Sequence, residues 1–202
     1  MIQEWPAGVE IPLLAVRSTP KEWATVGRTL FQSRRWVQAK LAFERAGQER
    51  QANITDAHAL REAARSMQSS TKPPPRRLAF CRAAEAFLRS AKESPYKAER
   101  RVLFHNAGDC FEAAASLGIK SEDCGKAGDA YASAEEFDAA VRMYRRCDML
   151  DEAVRIVQEN RAKMTPSVAE NILELAKLFY FRKRDYKCVS CAGCLIVKLT
   201  LD

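Results

Sequence analysis

Three thiols at regular spacing, Cys188-x2-Cys191-x2-Cys194, are the residues of this chain that come nearest to a chemical motif. Gaps of two residues suit thiolate ligation of zinc, but a structural zinc site takes four ligands. No histidine follows the run, and the nearest other cysteine is Cys147. An iron–sulfur run adds a fourth cysteine followed by proline, which is also missing. Cys188, Cys191 and Cys194 are therefore candidate ligands in a chain expected to hold no metal. The two histidines, His58 and His105, fall on expected helices with no serine or cysteine beside them in a nucleophile arrangement. They read as ordinary surface or partly buried histidines. Glu135-Glu136 reads as a solvated pair favouring the start of the next helix, not as a catalytic dyad. A phosphate-binding loop needs Gly-x4-Gly-Lys-Ser/Thr. Here Gly125-Lys126 is preceded by Gly118, seven residues back, and followed by Ala127. Phosphoryl transfer needs that cradle. No catalytic residue and no cofactor are expected.

What must be positioned, then, is a surface. The chain has 202 residues, enough for one ordinary domain or a short array of repeats. An apolar share of 47% fits a folded protein and excludes wholesale disorder. Part of the net charge of +7 is local: Arg76 to Arg101 holds eight Lys/Arg against three Glu. Such a stretch is a solvated helix face first, and a surface for an acidic protein or a phosphate backbone second. No apolar run reaches the roughly 18 residues of a membrane span, and no membrane partner is expected. The opening "MIQEWPAGVEIPLLAVRSTP" lacks a basic start and is a poor signal peptide. Seven cysteines without such a signal point to a reducing compartment, cytoplasm or nucleus, with mostly free thiols.

Helix punctuation is legible throughout. Thr19-Pro20-Lys21-Glu22 is a capping box with proline at the first helical position. Ser94-Pro95 and Thr165-Pro166 repeat the cap and proline without the reciprocal acid, and Gly47 and Gly118 stand just past periodic segments as stops. Between these signals the apolar period is close to 3.6. It predicts helices over residues 20–33, 35–47, 51–68, 76–92, 95–117, 121–133, 136–147, 149–161 and 166–185. The connections are short, so neighbours form antiparallel hairpins and the fold class is all-α. The expected organisation is an extended leader (1–19), a hairpin plus helix (20–68), a proline-rich linker (69–75), a helical repeat array (76–187) and a cysteine-rich tail (188–202).

Two helix pairs share one pattern. Trp23-x2-Val26-Gly27-x2-Leu30-x8-Ala39-x3-Phe43-x2-Ala46 matches Cys124-x2-Ala127-Gly128-x2-Tyr131-x8-Ala140-x3-Tyr144-x2-Cys147 at all seven positions. This spacing resembles the 34-residue tetratricopeptide (TPR) pattern. The resemblance implies that Gly27, Gly128, Ala39 and Ala140 are small where two helices cross. It also implies that Phe43 and Tyr144 reach toward the next hairpin. Elsewhere the pattern drifts. Phe104-x2-Ala107-Gly108-x2-Phe111 is a good first helix, but Lys120 stands where its second-helix alanine belongs. Phe137 to Met143 is echoed by Leu150 to Ile156 only thirteen residues on. The expected architecture is a stack of antiparallel helical hairpins forming a degenerate TPR-like superhelix.

The run "QSRRWVQAKLAFERAGQERQANITDAHALREAA", with "AAEAFLRSAKES" and "EFDAAVRMYRRCDMLDEAVRIVQEN", further resembles the C-terminal helical region of large fungal proteins. Those are related to TPR-and-ankyrin-repeat proteins and carry a UvrD-like helicase segment. The resemblance would place ATP-driven chemistry in a segment outside this chain. After residue 187 the helical pattern stops, as if the chain were truncated or read from a different frame.

These readings converge on a non-catalytic protein–protein interaction scaffold, a fragment or accessory region of a larger multidomain protein. Its alternatives are an accessory region of a helicase or a basic module associating with nucleic acid. Arg28, Arg82, Arg89, Arg100 and Arg101 are the candidate partner-binding residues. In a TPR groove that clamps an acidic peptide terminus, the clamping positions would be Ala24, Arg28, Gly125 and Asp129; Arg28 alone has the right charge, so that clamp is not expected.

Overall fold

The computed structural model describes residues 18–67, 73–118 and 121–182. Among them are nine α-helices and no strand: α1 (Pro20–Gln32), α2 (Trp36–Arg45), α3 (Glu49–Ser66), α4 (Pro73–Glu93), α5 (Lys97–Ser116), α6 (Ser121–Ser133), α7 (Phe137–Arg146), α8 (Leu150–Asn160) and α9 (Pro166–Arg182). The all-α class expected from the period is the class observed. The chain divides into two compact units, residues 1–56 and 57–202, and the division falls within α3.

The first unit begins with the expected capping box. The Thr19 hydroxyl accepts from the Glu22 backbone N–H at 3.4 Å, while the Glu22 carboxylate accepts from the Thr19 N–H at 2.7 Å. Two orphan donors at the head of α1 are thereby satisfied. Trp23, Leu30, Ala39, Ala42, Phe43 and Ala52 form the core of this unit. The second unit buries Phe87, Leu103, Phe111, Tyr131, Tyr144, Ile172 and Leu173, together with many alanines, among them Ala83, Ala84, Ala107 and Ala140.

Four of the helix–helix turns share one geometry. Residues 34, 47, 135 and 148 each adopt a left-handed backbone, with φ of 58°, 68°, 61° and 57°. In each, the next N–H reaches back five residues: Arg35 to Leu30, Gln48 to Phe43, Glu136 to Tyr131 and Met149 to Tyr144, all at 2.9 Å. This is the Schellman closure, which satisfies carbonyls at a helix end. Gly47 was legible as such a stop. Arg34, Glu135 and Asp148 were not, because side chains rarely adopt this region; the short hairpin imposes it on them.

Several local expectations are corrected. Pro73-Pro74-Pro75 opens α4 instead of preceding it, since a first helical turn has no need of the missing N–H groups; residues 68–72 lie outside the described residues. Helix α5 starts at Lys97, not Pro95. Ser94 is buried and bonds the Glu99 carboxylate, leaving Tyr96 extended as the cap residue. Thr165 turns its hydroxyl to Asp138 of α7, at 2.5 Å, and so ties the start of α9 to α7. Where mostly free thiols were expected, Cys124 and Cys147 are bonded Sγ to Sγ with Cα atoms 6.1 Å apart. The hairpin register carries both to the same end of the α6–α7 pair. Cys81 and Cys110 are free.

Candidate functional site

The helix junctions come first, because they decide which surfaces stay open. At Gly27 an added Cβ would lie 2.8 Å from the ring of Phe43, and at Gly128 it would lie 2.6 Å from the ring of Tyr144. Both distances are well inside van der Waals contact. The rings of Phe43 and Tyr144 therefore pack onto the glycine of their own hairpin, where they were expected to reach toward the next one. Ala39 and Ala140 are fully buried beside these junctions, and Trp23, Leu30 and Tyr131 are buried as well; Ala46 is half-buried. A third junction of the same kind was missed: the ring of Tyr131 covers Gly108, at 2.8 Å from a Cβ placed there. Helix α6 is thus the second helix of one junction and the first of the next. The irregular spacing at Lys120 hides this, because 23 residues separate Gly108 from Tyr131, against 16 in the other two pairs.

The hydroxyls complete the junctions. Tyr144 donates to Asp129 at 2.5 Å, and Tyr131 lies 3.0 Å from Asp109 and 2.8 Å from Glu112. In both cases one acceptor, Asp129 or Asp109, directly follows the glycine, which matches the echo between Ala107-Gly108-Asp109 and Ala127-Gly128-Asp129. Burial, and then these carboxylates, push both phenols above their ordinary range, so they remain protonated donors. In the first hairpin Phe43 has no hydroxyl, and Arg28 stands where the aspartate would be. Arg28 instead donates to Thr25 of its own helix at 3.1 Å.

Half of the eight cations from Arg76 to Arg101 have partners within the chain. Arg77 holds Asp123 through two bonds, Nε to Oδ2 at 2.5 Å and Nη2 to Oδ1 at 2.7 Å, with the carboxylate side chain only 2% exposed. Arg100 donates to the Ser94 carbonyl at 3.0 Å and Arg101 to the Ala134 carbonyl at 3.1 Å. Lys97 and Arg101 both face Glu135, at 2.8 and 3.6 Å. Glu135 is thus engaged with α5 and not simply solvated; its carboxyl is held below the usual range by Lys97. Arg82 and Arg89 stand exposed on α4 without a partner among the described residues, interleaved with Glu85.

Both histidines are engaged within the second unit. His58 lies edge-on to Phe87, ring centroids 5.0 Å apart, and its Nδ1 accepts from Arg61 at 3.1 Å. Burial, then Arg61 and Arg65, depress its pKa to about 4. His105 bridges Glu136 at 3.0 Å and Asp109 at 3.5 Å, joining α5 to the turn before α7. Burial pushes the Cys110 thiol up to about 12, and Cys81 is raised for the same reason, so neither is a ready nucleophile. No group of three or more metal-ligating side chains occurs among the described residues. Cys188, Cys191 and Cys194, and the break in pattern after residue 187, lie outside them. No helix among the described residues is long and apolar enough to cross a membrane.

An open groove lies within the second unit. Helices α7 and α9 run side by side in the same direction, linked at one end by Asp138–Thr165 and further on by Arg145 Nη1 to Asn171 Oδ1 at 3.3 Å. Between them lies a cavity of about 560 Å³ floored by Val141, Val168 and Ile172, with Arg142 and Arg145 on its rim. Arg145 also borders a second cavity of about 340 Å³, lined by Leu150, Leu175, Leu178 and Phe179. No family model matches the chain, and no curated protein matches it.

Proposed function

We propose that this chain is a non-catalytic protein-interaction segment built of TPR-like hairpins, an accessory region of a larger multidomain protein. The observation that carries this reading is the repeated junction, Gly27–Phe43, Gly108–Tyr131 and Gly128–Tyr144, in which one helix is locked on another by a ring filling the space of a missing side chain. Its chemistry is packing. Among the described residues, the Cys110 thiol is buried and held protonated, and His105 is bonded to Glu136 and Asp109. What such junctions supply is a rigid base on which grooves between alternate helices can hold a partner.

Selection of a random peptide library on the folded chain tests this. The expected result is an enriched peptide family whose binding is lost when the chain is unfolded. An absence of any enriched family, or equal binding to the unfolded chain, refutes the reading. The nucleic-acid alternative is not favoured: Arg77, Lys97, Arg100 and Arg101 are four of the eight cations between Arg76 and Arg101, and all four already have partners within the chain, Lys97 through a surface ion pair.

A further inference from the structure

We infer that the groove between α7 and α9, together with the apolar recess of α8 and α9 that meets it at Arg145, receives an amphipathic helix of a partner protein, with its apolar face on Leu175 and Leu178 and its carboxylates against Arg142 and Arg145. This rests on the interaction reading above and names the surface and the class of partner.

The apolar half of the argument is the outer face of α9. Ala169, Ile172, Leu173, Ala176 and Tyr180 bury one side of this helix. Leu175 and Leu178 are left 39% and 58% exposed, on the wall of the 340 Å³ cavity. Isolated exposed leucines need no explanation, but two on the wall of a cavity also lined by Leu150 and Phe179 make a continuous apolar recess. Their spacing, with Phe181 exposed at the next position of the period, matches the ridge that a facing helix packs against.

The charged half selects the partner. Arg142 is exposed and unpartnered among the described residues, and Arg145 has only the neutral amide of Asn171. Two acids also border the groove. Asp138 is taken up by Thr165, accepting from its N–H at 3.1 Å and from its hydroxyl at the head of α9. Asp148 lies two residues before α8, where the helix N-terminus offsets a negative charge. The arginines on the rim of the groove are therefore the charges left to satisfy, and guanidinium groups pair best with carboxylates. The same charges weigh against self-occupancy. The chain carries +7 overall, and residues 183–202 contribute four Lys/Arg against two Asp.

A fluorescein-labelled synthetic helix of about 18 residues, with leucines at helical spacing and flanking glutamates, is the probe. Its counterpart has lysines in place of the glutamates. Anisotropy titrations at about 50 and 200 mM salt should show the glutamate peptide binding the full chain at least about tenfold more tightly at low salt, with the margin narrowing at high salt. The double variant Arg142→Glu/Arg145→Glu should reverse the preference toward the lysine peptide. Leu178→Ser should weaken both peptides alike. Both substitutions are at exposed positions, and retained helicity is checked by circular dichroism. Equal binding of the two peptides, or an unchanged preference in the double variant, overturns the inference. So does protection of Leu175 and Leu178 from hydrogen exchange that vanishes on deleting residues 183–202, or a dimer dissolved by the double variant. If library-selected peptides bind elsewhere while the glutamate peptide does not bind, this inference fails and the interaction reading stands; if nothing binds, both fail.

Discussion

Replacing Gly128 with alanine sets two effects against each other. In an open helix interior the change would stabilise by roughly 1 kcal/mol, because alanine is the better helix former. Here the new Cβ would meet Cε1 and Cζ of Tyr144 at 2.6 Å and Cδ1 at 2.9 Å. The ring must retreat by about 1 Å to restore ordinary contact. It is held by a fully buried neighbourhood and by its bond to Asp129 at 2.5 Å. Overpacking costs about 1–3 kcal/mol, and loosening that bond adds about 1 kcal/mol. The net expectation for Gly128→Ala is a loss of about 1–3 kcal/mol. The assay is urea unfolding followed by circular dichroism at 222 nm. A second measurement isolates the cause: in a Tyr144→Ala background the same change should become stabilising, by up to about 1 kcal/mol. If Gly128→Ala raises stability in the wild-type background, or costs the same with and without the ring, the junction does not work by excluding a side chain.

Four other outcomes follow from particular contacts. Arg77→Met leaves Asp123 buried without its partner and should cost about 3 kcal/mol, read from thermal unfolding; the double change Arg77→Met/Asp123→Leu should recover most of it. Arg34→Gly relieves a left-handed backbone at an exposed turn and should raise stability by about 1 kcal/mol in the same urea assay. His58 is held neutral in the fold, with a pKa near 4 against 6.5 when exposed. The unfolded chain therefore binds the proton first. The stability this supplies is present above pH 6.5, falls as pH drops toward 4, and amounts to about 3 kcal/mol over that window. Comparing wild type with His58→Gln from pH 7 to 4 checks it, since the variant should lose this part of the pH dependence. In the first hairpin, Arg28→Asp with Phe43→Tyr should install the hydroxyl–carboxylate bond of the other junctions and stabilise by about 1 kcal/mol, whereas either change alone should not.

The helices were written in the chain at close range. A capping box at Thr19, a 3.6-residue period and prolines at the starts of α1, α4 and α9 act between residues a turn or two apart, so they needed no tertiary knowledge. The match between the Trp23 and Cys124 units also located the packing positions, since a glycine sixteen residues before an aromatic ring is a local signature of two helices closing on each other. Long-range pairings were another matter. Arg77 and Asp123 are 46 residues apart, and nothing in either neighbourhood marks them as partners. The third junction, Gly108 with Tyr131, was hidden because a longer connection changes the spacing while leaving the contact intact. The stretch from Arg76 to Arg101 looked like a basic face because a sequence shows charges but not which of them turn inward. The groove between α7 and α9 needed three helices in place before Arg142 and Arg145 could be seen to share a rim. The sequence by itself determined which segments are helical, which face of each is apolar and, where the hairpin spacing is regular, where a ring can replace a side chain, because those depend on neighbours within one hairpin. Only the tertiary structure decided which charges are consumed and which surface is left open, because those depend on residues that the chain brings together from far apart.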